Sequence, residues 1–283
     1  MPVAFVTDST AYIPADLVQQ YGITVAPQVL IWGEATFQDG VDIQPDEFYA
    51  RLKTAKTMPT TSQVAVVTMQ GIFQRLIDQG FDVLGVFISA KLSGTMQSAI
   101  QGREAMGSAA GKVTLVDSNT TAMAMGFMIL AAARAAKSGA GMAECVALVE
   151  AARDHVGVYF AVDTLEFLHR GGRIGGAQRF IGSALNMKPI LALRDGRVEA
   201  LDRVRTKSKA LDRLLELVSS DVRGQPNVHL ATLHANAEQE ARLLLERASR
   251  ELNAVESVLS SVSPVVGTHA GPGTVGLAYM AGM

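Results

Sequence analysis

One cysteine, Cys145, stands in 283 residues, so neither an intramolecular disulfide nor a thiolate-rich zinc site can form, and a reducing cytoplasmic home is compatible. Charged residues are sparse at 18% while hydrophobic ones reach 48%, a balance that excludes disorder and a disulfide-stapled scaffold. Long apolar runs are lacking too. The longest, residues 122–133, falls short of the roughly 18 to 20 needed to span a bilayer and is closed by Arg134, so no stable membrane insertion is expected. Residues 1–10 lack a cationic stretch and run directly into a strand pattern, so no secretory leader is expected. The five histidines (155, 169, 229, 234 and 269) show no H-E-x-x-H or comparable spacing, and no metal site is expected.

What is present is enough apolar material for large cores, with a mean hydropathy of +0.21. Without a membrane span, that surplus must be hidden in cores or around an apolar ligand. A chain of this length is near the limit at which one core stops growing, and two domains of about 140 residues each are expected. The net charge of −2 is unevenly spread: from Arg170 to Arg213, eleven Lys/Arg face four Asp/Glu, giving +7 against −9 elsewhere. Such a segment is either a solvated face with ordinary ion pairs or a surface for an anionic partner.

Residues 3–7, 24–32, 83–89 and 113–117 are apolar runs rich in β-branched residues, which predicts strands. Residues 14–21, 45–53, 71–79, 94–106, 122–137 and 142–154 predict helices, several with Pro or Asp near the start and Gly after the end. That alternation predicts a mostly parallel three-layer lobe over 1–155, interrupted by a hairpin turn at Gly33-Glu34. A strand over 156–162 and a helix over 164–169 open the second half. Residues 189–193 and 198–204 then flank Asp195-Gly196, a strong hairpin signal. A helix over 208–219, a strand over 228–234, a helix over 237–251 and a strand over 257–263 complete a mixed-sheet lobe over 156–283. The expected class is α/β in two lobes.

Gly271-Pro-Gly273-Thr-Val-Gly276 spells G-x-G-x-x-G, but only seven residues follow it, too few for a βαβ dinucleotide unit. The glycines around Arg173 follow a predicted helix and lack a P-loop lysine. Ser93, in Ser89-Ala-Lys-Leu-Ser-Gly-Thr95, sits between a strand and a helix, where α/β sheets bind ligands; it reads either as an N-cap worth about 1 kcal/mol or as a ligand-facing donor. Thr60-Thr61-Ser62-Gln63 is a hydroxyl-rich loop suited to holding a carboxylate or phosphate without metal. His269, in Gly267-Thr-His-Ala-Gly-Pro-Gly273, reads as structural or as a ligand-facing group on a tight glycine turn. Residues 123–133 read equally as core or as the wall of an apolar tunnel.

Taken in order, eight segments resemble the DegV family over essentially the whole chain: Val6-Thr-Asp-Ser9, Thr60 to Gln63, Ser89 to Thr95, Val116-Asp-Ser118, Phe167 to Ile174, Leu185 to Ile190, Arg205 to Ala210, and Gly267 to Gly273. The resemblance implies a long-chain fatty acid buried in an apolar tunnel, its carboxylate held by Thr61, Ser93 and His269. Ser62, Gly94, Thr95, Thr268 and Gly271 would belong to the supporting loops. A buried acyl chain gains on the order of 0.8 kcal/mol per methylene, and three donors satisfy its head group. A protonated His269 would be the strongest of the three.

The resemblance further implies a non-catalytic subunit that presents the acid to a separate ATP-binding fatty acid kinase. The acyl phosphate formed there would pass to a downstream acyltransferase, with no cofactor in this chain and with Arg170, Arg173 and Arg205 docking the kinase. The chain has no Walker A motif and no kinase glycine loop. Two other readings compete. One is a stand-alone acyl hydrolase using Ser93 and His269, for which no motif supplies an acidic orienter. The other is a nucleic-acid binder using residues 170–213, where Phe180 is the only aromatic.

Overall fold

The computed structural model describes residues 2–182 and 186–283. Its first half runs β1 (Val3–Asp8), α1 (Ala15–Tyr21), β2 (Thr24–Ala26), β3 (Val29–Trp32), β4 (Ala35–Gln38), α2 (Pro45–Leu52), β5 (Thr60–Ser62), α3 (Val66–Asp78), β6 (Asp82–Phe87), α4 (Thr95–Glu104), β7 (Val113–Asp117), α5 (Ala122–Lys137) and α6 (Met142–Ala152). The second half runs β8 (Val156–Ala161), α7 (Glu166–Arg170), β9 (Lys188–Arg194), β10 (Arg197–Val204), α8 (Lys207–Asp221), β11 (His229–His234), α9 (Glu238–Glu251), β12 (Glu256–Ser261), α10 (Pro264–Ala270) and β13 (Val275–Met280).

The α/β class and the two kinds of sheet are as the alternation predicts. Strands β2-β1-β6-β7 form an all-parallel sheet, and β10-β9-β8-β13-β11-β12 form a six-stranded mixed sheet. A third, antiparallel sheet, β4-β3-β5, lies apart from both. The expected strand over 24–32 is therefore two strands in different sheets, since Pro27 between them removes an amide and permits the change of direction. Both hairpin turns fall where expected. Gly33-Glu34 joins β3 to β4, and Asp195-Gly196 joins β9 to β10, with both turn residues at positive φ (48° and 74°) as a type I′ turn requires.

Three elements depart from the sequence pattern. Residues 60–62, expected as loop, form edge strand β5 paired to β3. The glycine turn expected around His269 is helix α10, which Ser263 caps through its hydroxyl and Pro264 opens. Most consequentially, β13 is a central strand between β8 and β11 although it is the final segment of the sheet to be synthesised. Its two glycine-containing neighbours in sequence conceal the pattern.

The all-apolar helix α5 explains how the halves pack. It contacts β1 and β6 on one side and β8, β11 and β13 on the other, so no polar stripe is left. Residues 123–130 are buried throughout, in one core that also takes Phe5 and Val86 from the parallel sheet and Val158, Ala231 and Met280 from the mixed one. Residues 123–133 are thus core and do not line the ligand cavity described below. Among the described residues, no helix is long and apolar enough to cross a membrane.

Candidate functional site

A cavity of about 230 Å³ lies between the carboxyl ends of the parallel strands and the inner face of the mixed sheet. A single water needs only about 10–15 Å³ by the same measure, so the space holds far more than one water. Its walls are mainly apolar: Ile88 and Leu92 from beyond β6, Val158 and Phe160 from β8, Leu193 and Val198 from the β9–β10 hairpin, and Leu233, Val262, Val265 and Val266. Thr61, Ser62, Gln63, Ser93, Gly94, Arg173 and His269 meet along the same cavity.

The local chemistry explains why they meet. Gln63, just beyond β5, donates from Nε2 to Ser98 Oγ of α4 at 2.8 Å, and its carboxamide occupies the space a side chain at position 94 would need. Gly94 is the cap position of α4, and the Gln63 contacts hold the Thr61 strand against the Ser93 loop. Ser93 precedes the cap: its Oγ accepts the Thr95 N–H at 3.3 Å and lies 2.9 Å from Thr95 Oγ1. The hydroxyl thus both braces the first turn and borders the cavity.

His269, in the last turn of α10, places Nε2 2.8 Å from Thr61 Oγ1. Its Nδ1 is buried with no hydrogen-bond partner among the described residues. The ring packs against the backbone of Gly171, where any Cβ would fall on Nδ1. Burial, with the Arg173 guanidinium adding repulsion, pushes its pKa down to about 4. The imidazole is therefore neutral at pH 7, a state the sequence leaves open. The cation of the site is Arg173. It donates from Nε to Leu92 O at 3.1 Å and from Nη1 to Gly171 O at 2.8 Å, bridging the Ser93 loop to the loop over His269.

Buried Asp8 organises Thr10, Gln28 and Ile88 of the lining. It accepts from Thr10 N at 3.0 Å, Thr10 Oγ1 at 2.6 Å, Gln28 Nε2 at 3.2 Å and Ile88 N at 2.9 Å. Asp39, bonded to Ser9 Oγ at 2.6 Å and facing the Val265 amide at 3.4 Å, ties the β4–α2 connection to the start of α10. Burial raises its pKa to about 6.

The expected site residues divide cleanly. Thr61, Ser93 and His269 share the cavity, with Ser62 and Gly94 beside them. Thr95, Thr268 and Gly271 support it from behind: Thr95 is buried, Thr268 Oγ1 bonds Pro264 O at 2.9 Å, and Gly271, at φ 79°, leaves room for the Phe167 ring. Arg173 lines the cavity. Arg170 does not; it pairs with Glu166 at 2.5 Å on the surface, and Arg205 is also exposed and outside the cavity. Leu185, part of one sequence segment, lies outside the described residues.

The basic stretch is also less free than its charge suggests. Lys188 and Lys207 share Asp163, Arg213 pairs with Asp202 and Glu216, and Arg179 donates to Ala200 O. Sequence reasoning missed Thr10, Tyr12, Gln28 and Thr121 in the lining. Thr121 carried a signal, a hydroxyl residue just before an apolar helix, but that signal reads as a cap. Among the described residues no cluster of three His, Cys, Asp or Glu could hold a metal.

The sequence model of a family described as uncharacterised proteins of the DegV family matches residues 2–282. A DegV domain-containing protein of Streptomyces coelicolor is 38% identical over 277 residues, covering 97% of each chain. A DegV family protein from Thermus thermophilus, described for its fatty acid binding, superposes with a TM-score of 0.94 at 34% identity, over 99% of this chain and all of that one. DegV of Bacillus subtilis, described as a fatty acid binding protein, gives a TM-score of 0.90 at 33% identity, over 99% of each chain.

Proposed function

The chain belongs to the DegV family, and from that premise and the cavity described above we propose that it binds a long-chain fatty acid, with the carboxylate at Thr61, Ser93 and His269 and the tail along the apolar wall. The observation that carries this reading is the convergence of those three side chains on one apolar cavity, although they are separated by up to 208 positions in sequence. A carboxylate there accepts from the Thr61 and Ser93 hydroxyls, with the neutral imidazole orienting Thr61 through Nε2. Arg173, exposed at the same mouth, balances its charge.

On this reading the protein is a non-catalytic carrier in the cytoplasm. It presents the carboxylate to a separate ATP-dependent fatty acid kinase subunit, and the acyl phosphate passes to an acyltransferase. The phosphoryl donor then arrives with the partner, whose docking we assign to the mouth at Arg173 with exposed Arg170 and Arg205. A hydrolase role is disfavoured because His269 Nδ1 has no carboxylate to orient it.

Two measurements test the proposal. Denaturing mass spectrometry of protein purified from cells should release a stoichiometric long-chain fatty acid, and repeated preparations without one overturn it. With a reconstituted kinase, Ser93→Ala or His269→Ala should lower acyl phosphate formation by about ten- to hundred-fold while the melting profile stays cooperative, since the first removes a hydrogen bond to a charged group and the second removes the partner that orients another. Normal turnover by both variants overturns the head-group assignment.

A further inference from the structure

Gly276 stands inside β13, a central strand of the mixed sheet, and lines the cavity. Glycine within a strand weakens it, and it recurs at bulges, at sharp bends and where a ligand comes close to the backbone. The first two do not apply here. β13 keeps an unbroken register from Val275 to Met280 against both β8 and β11, and Gly276 has no left-handed φ. Close approach is what remains.

The register shows which way the missing side chain would point. Gly276 pairs with Phe160 on β8 and with Leu233 on β11, and directly paired residues share a face of the sheet. Phe160 and Leu233 both line the cavity, so position 276 belongs to the same cavity-facing row. A Cβ there would meet Phe160 Cβ and Tyr159 O at 3.3 Å and Leu233 Cδ1 at 3.4 Å. Every other buried glycine among the described residues has a neighbour's atom within 2.9 Å of that point, such as the Phe87 ring at Gly85, the Tyr49 hydroxyl at Gly267 and the Phe167 ring at Gly271. Those hollows are filled by the protein itself, whereas the one at Gly276 is left to the cavity.

The same face of β13 runs from the proposed head-group end to a closed end. Thr274, two residues before Gly276, lines the cavity and bonds through Oγ1 to Ala270 O at 2.9 Å, beside His269. Ala278, two residues after, pairs with Val158 and Ala231, and all three pack in the core that α5 fills. Of that row only Val158 reaches the lining. A path from His269 to Val158 therefore crosses the sheet at Gly276, with Phe160 and Leu233 as its two sides.

Resting on the fatty acid reading above, we infer that Gly276 is the residue that sets how long a tail the cavity admits: the acyl chain crosses β13 there, between Phe160 and Leu233, to reach the Val158 end. A side chain at this position stands in the path and stops the chain before that end. Glycine thus selects long-chain acids, and a branched side chain at 276 turns the same cavity toward medium-chain ones. The head-group residues are untouched by the change, because Thr61, Ser93 and His269 lie on other elements.

Delipidated protein titrated with octanoate, laurate, palmitate and stearate tests this. Wild-type affinity should rise along the series to stearate. Gly276→Val should lower the affinity for palmitate and stearate by about tenfold or more while leaving octanoate within about twofold, and Gly276→Ala should fall between. Adding Leu233→Val to Gly276→Ala removes the Cδ1 nearest the new methyl and should restore part of the stearate affinity. An equal loss for all four acids, or no loss for any, overturns the role of Gly276. Where the variants lose cooperative melting, stearate carrying a photoreactive diazirine in mid-chain decides on wild type. It should label peptides containing Phe160, Gly276 or Leu233, and labelling confined to other elements overturns the inference. Failure of wild type to bind any of the four acids overturns the fatty acid reading itself, so the wild-type titration separates the two failures.

Discussion

At the scale of single residues, the proposed head-group site is built by exclusion as much as by contact. His269 was legible as a candidate because its segment matches a family pattern, but nothing in the sequence showed that Gly171, 98 positions earlier, is the surface its ring rests on. Sequence spacing carries no information on which backbone approaches which side chain across the fold. Gly171 has an ordinary φ, so the demand for glycine there comes from space alone. Gly171→Ala should drive a methyl into Nδ1 and displace the ring from Thr61, at an overpacking cost of about 1–3 kcal/mol. The expected result is fatty acid affinity lowered by at least tenfold with a smaller loss of thermal stability. Unchanged affinity by titration would show that the ring has no fixed position to lose. The neutral state of that ring was equally hidden, since burial and the approach of Arg173 are properties of the folded molecule.

Among the elements, strong local patterns were readable and non-local ones were not. Asp195-Gly196 announced its hairpin because the type I′ turn is specified by the two residues themselves. Where the tip of that hairpin docks was not announced. Gly196 O accepts from Ser89 Oγ at 2.9 Å and Asp195 O accepts from Lys91 Nζ at 2.6 Å, so the second lobe grips the loop that carries Ser93. Leu193 and Val198, on either side of the turn, close one wall of the cavity. By contrast, α10 and β13 were missed because their glycines and proline read as turn signals, while tertiary pairing with β8 and β11 overrides that local tendency. Gly196→Ala combines an unfavourable φ of 74° with a Cβ placed on Ser89 Oγ. Undocking of the tip is expected, with a stability loss of about 1–3 kcal/mol and faster release of bound fatty acid in a chase experiment. Release at the wild-type rate would mean that this wall does not gate exchange.

For the whole molecule, the decisive feature is that α5 serves two sheets at once, and one polar cluster fixes its far end. Arg134, near the end of α5, pairs with Glu256 at 2.6 Å, and the other carboxylate oxygen of Glu256 meets His229 Nδ1 at 2.7 Å. Glu256 opens β12 and His229 opens β11, so this carboxylate joins the helix of one half to adjacent strands of the other. Hydrogen bonding from His229 and the Arg134 guanidinium pull its pKa down to about 2 despite burial. The apolar run of α5 was readable as buried, but its ties to residues more than 100 positions away were not, because charge pairing at such separation leaves no periodic trace. The sign of the pH effect follows from the depressed value. The folded state holds Glu256 ionised where the unfolded chain, near 4.5, takes up a proton, so its contribution is complete above about pH 4.5 and disappears as pH falls toward 2. Glu256→Gln should therefore cost about 2–3 kcal/mol in urea unfolding at pH 7, and the gap to wild type should narrow steadily below pH 4.5. A gap independent of pH would assign the loss to packing, and no gap at all would mean that the apolar contacts of α5 hold the two sheets together without this anchor.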